Sequence, residues 1–511
     1  MNEQKQPQTA LDHVLKYTGI FGGVQGLTIL ISIVRNKLAS HFLGPVGYGL
    51  IAIYQSIAEF ANSSTNLGIP FSSVRELSEL SEECQSSDAS KAFTDEVHSF
   101  IAVIRTWCLW AAVGGSLLCL IGAPLLWQWF FPEGEVDMWS IALLAPMVAA
   151  LSITGGEISI LKGLHRLSRI ALISAFGAIS TLCLTVPFFW SLGTCGILLA
   201  LNCSAIALTA IHLSFTLPLY PYRAYPFSKA ILHRGWSMIR IGIPYVLASI
   251  AGAGVAMALP VLMKNYGSLE DLGLYRAVYG LMVTYAGIVF TAFEADYFPR
   301  LSGVNRDREL RNLTINQQIR VCILLIAPIL IAMIVAMPLI MRLLFTEKFL
   351  PAVPMAICAA FYMFLRAITT PIGYTALACG ESGLFLLMEI IYDAVSLALI
   401  FGCYELWGLT GAGIGLSLSA LFDLMLIGIC YCWHFGFRLS PSTAWLALQQ
   451  ALILGAGMTV CLLMSGWGRW MLGFVLFGLS LRLSYSVLSV ETTIIDKIHR
   501  RFHLLSPKDK S

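Results

Sequence analysis

Three features of this sequence predict an all-α polytopic membrane protein with about 14 transmembrane helices. The first is composition. Of 511 residues, 57% are hydrophobic and only 12% charged, whereas a soluble globular chain carries roughly 25% charged residues. The second is that apolar stretches of about 20 residues, the length needed to cross the hydrocarbon core, recur from end to end. The third is where the basic residues fall. With the N-terminus in the cytoplasm, the inside segments hold 22 of the 32 Lys and Arg residues. The outside loops hold six: Arg35, Lys37, Lys264, Arg342, Lys348 and Arg469. Basic residues retained on the cytoplasmic side set membrane orientation, so both termini are expected in the cytoplasm.

In order, the spans are expected near 14–34, 47–69, 97–126, 138–160, 168–190, 194–217, 237–262, 271–297, 318–345, 352–376, 383–403, 407–433, 444–464 and 468–490. Gly193 separates one close pair, and Glu405 with Gly408 another, so both pairs are expected as helical hairpins. Trp127, Trp129, Trp139, Trp190, Trp407, Trp467 and Trp470 collect at the proposed outer ends, as an interfacial belt does. Residues 1–13 are polar, and no small-residue cleavage site follows the first apolar run, so no removable signal peptide is expected. The longest polar segment, Ser72 to Glu96, predicts a short amphipathic helix and loop on the cytoplasmic side. The basic loop from Arg300 to Arg320 is read as a topology determinant near anionic headgroups.

Several function classes find no support in these residues. A net charge of +3 spread along the chain is no signature of nucleic-acid binding. The 13 cysteines lie mostly in apolar segments without the spacing of a disulfide framework or a zinc site. No cofactor is expected. No outside loop is long enough to carry a catalytic site, and no phosphate-cradling motif appears, so the chain is read as a transporter and not an enzyme.

Polar residues inside the spans carry the functional signal. Gln55, Glu59, Asn62, Ser63 and Asn66 fall on one helical face of the second span, and Gln25, Thr28, Ser32 and Arg35 on one face of the first. Arg276, Thr284, Thr291 and Glu294 do the same in the eighth. Lipid cannot satisfy such stripes, so they face a hydrated cavity or bond helix to helix. Hydroxyls and amides suit sugars, and arginine suits a diphosphate. Arg35 and Arg276 sit near the outer surface, where contact with a ligand and snorkelling to headgroups are both open. A second constellation comprises Arg366, Glu389, Asp393 and Asp423. Each such charge costs about 2.5–3.5 kcal/mol at the bilayer centre, so the group is read either as a helix-holding ion pair or as a coupling-ion site.

The chain also echoes itself. Arg35-Asn36, Gly47-Tyr48 and the run to Ile69-Pro70 recur as Lys264-Asn265, Gly273-Leu274-Tyr275 and the run to Phe298-Pro299. Leu192-Gly193-Thr194-Cys195-Gly196 recurs as Trp407-Gly408-Leu409-Thr410-Gly411. An even number of helices per repeat predicts two six-helix lobes related by a pseudo-twofold along the membrane normal, with two further C-terminal helices. The expected bounds are 1–217 for the N-terminal lobe, 218–236 for a cytoplasmic linker, 237–434 for the C-terminal lobe and 435–511 for the last two helices with the tail.

The turn Leu43-Gly44-Pro45-Val46-Gly47-Tyr48-Gly49, with Asn66-Leu67-Gly68-Ile69 and Arg75, resembles the first hairpin of bacterial polysaccharide-type flippases. Ile160-Leu161-Lys162-Gly163-Leu164-His165-Arg166, followed by the hairpin at Gly193, is similar to their fourth-to-sixth helices. These proteins share a superfamily with lipid II flippases and multidrug and toxin extrusion transporters. The resemblance covers residues 14 to about 435. It implies a two-lobed, V-shaped flippase of the O-antigen or capsule type. Such a protein turns undecaprenyl-diphosphate-linked oligosaccharide over in the bacterial inner membrane by alternating access, acts as a monomer among membrane lipids, and works beside polysaccharide-assembly proteins. Some relatives bind sodium in the C-terminal lobe. Glu389, Asp393 and Thr410 resemble three of those ligands, while the seventh helix lacks their aspartate and offers Tyr245 and Ser249. The coupling ion implied is therefore a proton on Asp393 or Glu389, or a sodium ion at Asp393. A cation-coupled drug or metabolite exporter on the same fold is the alternative.

Overall fold

The computed structural model describes residues 6–86, 90–132, 134, 136–164, 166–285, 287, 297–298 and 300–505. Among these the regular structure is entirely helical, with no strand. Eight helices among the described residues are long and apolar enough to cross a membrane, and two of them, Ser168–Thr216 and Ser382–His434, have the length of a hairpin. The chain is a multi-pass membrane protein.

The hairpin turns are where backbone freedom matters most. Helix α1 (Gln6–Thr65) breaks at Gly44, whose φ of 62° and ψ of -171° are non-helical. Pro45 restarts the helix at a position where its missing N–H removes no hydrogen bond. The chain then doubles back: Tyr48 Oη donates to Asn36 O at 3.0 Å, although twelve residues would span about 18 Å of straight helix. Helices α2 (Ile69–Ser86), α3 (Ser90–Phe130), α4 (Trp139–Ala142) and α5 (Ala145–Gly163) follow. Then come α6 (Leu167–Leu192) and α7 (Ile197–Thr216), separated by a 3-10 turn at Gly193–Gly196 and packed on each other. Gly193 has a φ of 56°, so the expected hairpin is present there.

Helix α8 (Lys229–Tyr266) is followed by α9 (Leu269–Tyr279), which ends in a π-helical turn, Gly280–Tyr285. Helices α10 (Arg308–Leu344), α11 (Val353–Ala378), α12 (Ser382–His434), α13 (Pro441–Leu463) and α14 (Trp467–Leu505) complete the chain. In α12, Trp407 and Gly408 leave the helical region. A Cβ on Gly415 would lie 2.6 Å from Ile400 Cα, which fifteen residues of straight helix would hold about 22 Å away. This is the second expected hairpin. Helix α13 starts at Ser440, whose Oγ accepts from Thr443 N at 3.2 Å, with Pro441 at its first position, as preferred helix starts have it.

Two compact units result. One comprises Met1–Gly273 with Leu343–Lys348, the other Leu274–Arg342 with Phe349–Ser511. In the first unit, α2 is the amphipathic helix that the polar segment predicts. Its Ile69 and Leu77 are buried with Val97, Phe100, Ile104, Cys108 and Ile160, while Arg75 and Glu79 stay exposed as an ion pair at 3.0 Å. Helix α8, which the sequence reading places at the head of the second lobe, packs on α1, α2 and α3. Gly235 permits that approach, because a Cβ there would sit 1.8 Å from Trp107 Nε1. In the second unit, α11 packs on both limbs of α12. Gly413 lies against the Met355 carbonyl, and Ser417 Oγ donates to Cys358 O at 2.7 Å. Helices α13 and α14 are joined by Gln450, whose amide nitrogen donates to Ser484 Oγ and whose oxygen accepts from Ser480 Oγ, at 3.1 and 2.7 Å. Arg469 Nη2, near the start of α14, donates to Ile334 O of α10 at 2.5 Å. That carbonyl has lost its ordinary intrahelical donor, since residue 338 is a proline.

Candidate functional site

The second unit contains a cavity of about 260 Å³ walled by α11, both limbs of α12, Val283 and Gly287. Helix α11 contributes Tyr362, Arg366, Thr369, Thr370 and Gly373, at spacings that keep them on one face. Helix α12 supplies Phe385 and Glu389 from its first limb and Asp423 from its second. The turn at Gly408 explains this. Asp393 lies fifteen residues before it and Asp423 fifteen after, so the reversal brings the two limbs level there.

Arg366 Nη1 donates to Asp423 Oδ2 at 3.1 Å. The side chains of the pair are 32% and 3% exposed, so the arginine is open to the cavity while the carboxylate in its wall is almost wholly covered. The Tyr392 ring lies 5.9 Å from the guanidinium carbon, a distance at which the ring face attracts a cation. Asp423 offsets the cost of an arginine in the membrane interior. Glu389 shares the cavity, and the half-buried Asp393 follows it one helical turn later.

The sequence-derived ion-site residues are only partly assembled. Thr410 stands just past the turn, about 20 Å along the limb from the level of Asp393 by helical rise, so it does not join Glu389 and Asp393. The residue that comes level with them is Asp423. Among the described residues, no three His, Cys, Asp or Glu side chains converge as a metal site.

The first unit holds the second-span stripe. Ser152 Oγ donates to Asn62 Oδ1 at 2.9 Å, and Gly68 N donates to Asn66 Oδ1 at 3.0 Å. The two asparagines, with Pro70, Cys108, Ser152 and Gly155, line a cavity of about 20 Å³, enough for about one water. Glu59 is exposed, and Gln55 and Ser63 are half-buried. In the first-span stripe, Thr28 and Ser32 donate to the carbonyls four residues back, at 2.9 and 2.8 Å, and Arg35 Nη2 donates to Asn36 Oδ1 at 3.3 Å. Those hydroxyls are satisfied by their own helix. Arg276 is half-buried on α9. The side chains of Gln25, Thr284 and Tyr245, and residues Thr291, Glu294 and Asp296 altogether, lie outside the described residues.

One buried constellation escaped the sequence reading. Arg105, on α3, donates from Nε and Nη2 to the two carboxylate oxygens of Glu157, on α5, at 2.7 and 3.0 Å. Both side chains are sealed, at 2% and 1% exposure. Nη1 of the same arginine donates to the carbonyls of Tyr220 and Pro221, each at 3.0 Å, and the Tyr222 ring lies 4.9 Å from its guanidinium carbon. Burial first, then the Glu157 carboxylate, raises the Tyr222 hydroxyl above its usual range, so the ring stays neutral. Thr106 Oγ1 accepts from Tyr225 N at 3.0 Å, and Trp110 Nε1 donates to Pro226 O at 3.2 Å. The linker before α8 is strapped to α3. A lone arginine and a lone glutamate in separate spans were the available signal.

Similar solved structures share this architecture. The lipid II flippase MurJ in an inward closed conformation is 13% identical and superposes with a TM-score of 0.68, covering 93% of this chain and 99% of that one. A multidrug resistance MATE family transporter of the MOP superfamily, inward-facing, gives 13% and 0.59, covering 82% and 94%. The MATE multidrug transporter DinF-BH gives 15% and 0.54, covering 86% and 98%. Identities this low establish the fold. No curated protein matches significantly. The profile of the polysaccharide biosynthesis protein family matches residues 14–305, more than half of the sequence, and the chain belongs to that family.

Proposed function

We propose that this protein is a flippase that moves undecaprenyl-diphosphate-linked oligosaccharide across the bacterial inner membrane by alternating access, for O-antigen, lipopolysaccharide or capsule assembly. In this reading it is a monomer with fourteen crossings in two six-helix lobes and two C-terminal helices, both termini lie in the cytoplasm, and polysaccharide-assembly proteins are its partners. The reversals at Gly44, Gly193 and Gly408 support that count.

The observation that carries the proposal is an arginine-bearing cavity among the membrane helices of a polysaccharide-biosynthesis family member. Family membership supplies the substrate class, and the cavity supplies a place where polar chemistry is sheltered from lipid. Transport is coupled to a proton or sodium ion held at Asp393, one turn beyond the cavity residue Glu389, with Asp423 keeping Arg366 in place.

Loss of the gene should leave lipid-linked oligosaccharide on the inner leaflet. Unchanged lipid pools with altered drug tolerance would instead identify an exporter. In proteoliposomes under imposed sodium and pH gradients, Asp393→Asn should accumulate normally and lose gradient-dependent transport. Unchanged gradient dependence would remove the ion site from the mechanism.

A further inference from the structure

We infer that the cavity of the second unit is a saccharide subsite that takes one pyranose ring of the headgroup and excludes the diphosphate. The inference rests on the flippase reading and says which part of that substrate enters this cavity.

Size is the first ground. At about 260 Å³ the cavity falls just below the roughly 300–1,000 Å³ of pockets for drug-sized ligands, so it suits a single ring and not a branched repeat unit.

Charge is the second. Among the described lining residues Arg366 is the sole cation, and it is already hydrogen-bonded to Asp423 at 3.1 Å. Glu389 is left over, so the lining carries a net negative charge when its carboxylates are ionised. A diphosphate, anionic at every working pH, is repelled by that balance.

The third ground is the mixture of groups. Ionised carboxylates only accept hydrogen bonds, guanidinium only donates, and tyrosine and threonine hydroxyls do both. An organic cation needs acceptors alone. A polyhydroxylated ring offers a donor and an acceptor at most carbons and uses the whole set. Tyr362, Tyr374 and Phe385 add aromatic surface, which suits the apolar C–H face of a pyranose. Glu389 is the recognition carboxylate, and Tyr374 is the stacking platform, packed against the Tyr297 and Phe298 rings at 6.3 and 5.9 Å.

The test is saturation-transfer NMR on the full chain in nanodiscs, a method that detects weak ligands. The probes are the methyl pyranosides of glucose, galactose, N-acetylglucosamine and rhamnose, with inorganic pyrophosphate and tetraphenylphosphonium as competitors. At least one pyranoside should show transfer to its ring protons. Glu389→Gln and Tyr374→Ala should each cut that transfer five-fold or more, and pyrophosphate should not displace the sugar. Glu405→Gln, on the exposed turn outside the cavity, should leave the transfer unchanged. The subsite is overturned if no pyranoside shows transfer, if both variants leave it intact, if pyrophosphate competes, or if only the phosphonium cation binds. Translocation of lipid-linked oligosaccharide in proteoliposomes is followed alongside. Translocation without pyranoside binding removes the subsite and keeps the flippase. Pyranoside binding without translocation keeps the subsite and removes the flippase.

Discussion

Two arginine–carboxylate pairs described among the membrane helices differ in what surrounds them. Arg105 and Glu157 meet through two hydrogen bonds, and both side chains are almost wholly sealed. The arginine's remaining donors go to backbone carbonyls of the linker. Arg366 and Asp423 share a single hydrogen bond, and a third of the arginine faces an open cavity. The first pair is closed to any ligand by its burial; the second is open to one. A charge inside a membrane protein is therefore not functional by its presence alone. Access distinguishes a site from a fastening.

The largest effect should come from Glu157→Leu, which strands a sealed guanidinium at a cost of about 3–5 kcal/mol, as expected for one lost partner of a buried pair. Yield and detergent-unfolding midpoint should fall together, and Arg105→Leu added to it should recover part of the loss. Full recovery would mean that the contacts to Tyr220 and Pro221 contribute nothing. Asp423→Leu should cost less, roughly 1–3 kcal/mol, the scale of one lost charged hydrogen bond, because a third of the Arg366 side chain is open to the cavity. Its mark should be on transport, reduced ten-fold or more at near-normal abundance. If abundance falls as far as in Glu157→Leu, the two pairs are alike and the comparison fails.

Thr106→Val removes the acceptor of Tyr225 N and should destabilise by about 0.5–1.5 kcal/mol, the net worth of one hydrogen bond, with faster proteolysis of the linker as the readout. Glu79→Gln should move the unfolding midpoint least. Its pair with Arg75 is exposed on both sides, and such pairs contribute about 0–1 kcal/mol.

Much of the scaffold was legible in the sequence because it depends on local signals. Gly44-Pro45, Gly193 and Gly408 mark reversals wherever they occur in an apolar run, and α2 follows from its own polar segment. Arg366, Glu389 and Asp423 stood out because charges are costly in that setting. Partner choice was not local. Nothing near Arg105 indicates that its carboxylate is 52 residues away, and nothing near α8 indicates that Gly235 will lie against Trp107. Thr410 was placed with Glu389 and Asp393 by resemblance, yet its height along the hairpin is set by the turn at Gly408. The hydroxyls of Thr28 and Ser32 line up on one face as a cavity stripe does, but the same spacing lets each bond its own helix, and sequence alone does not separate the two.

The bond from Arg469 to Ile334 also has a consequence in time. Its two ends lie 135 residues apart, and Pro338 leaves that carbonyl without its usual donor from the moment α10 is made. At about 5–20 residues per second, the ribosome reaches Arg469 roughly 7–27 s later. Throughout that interval the nascent α10 carries an unanswered carbonyl, which hydrocarbon cannot hydrate. The last two helices thus complete a helix made well before them, and a chain terminated at Leu463 would keep that carbonyl open for its lifetime.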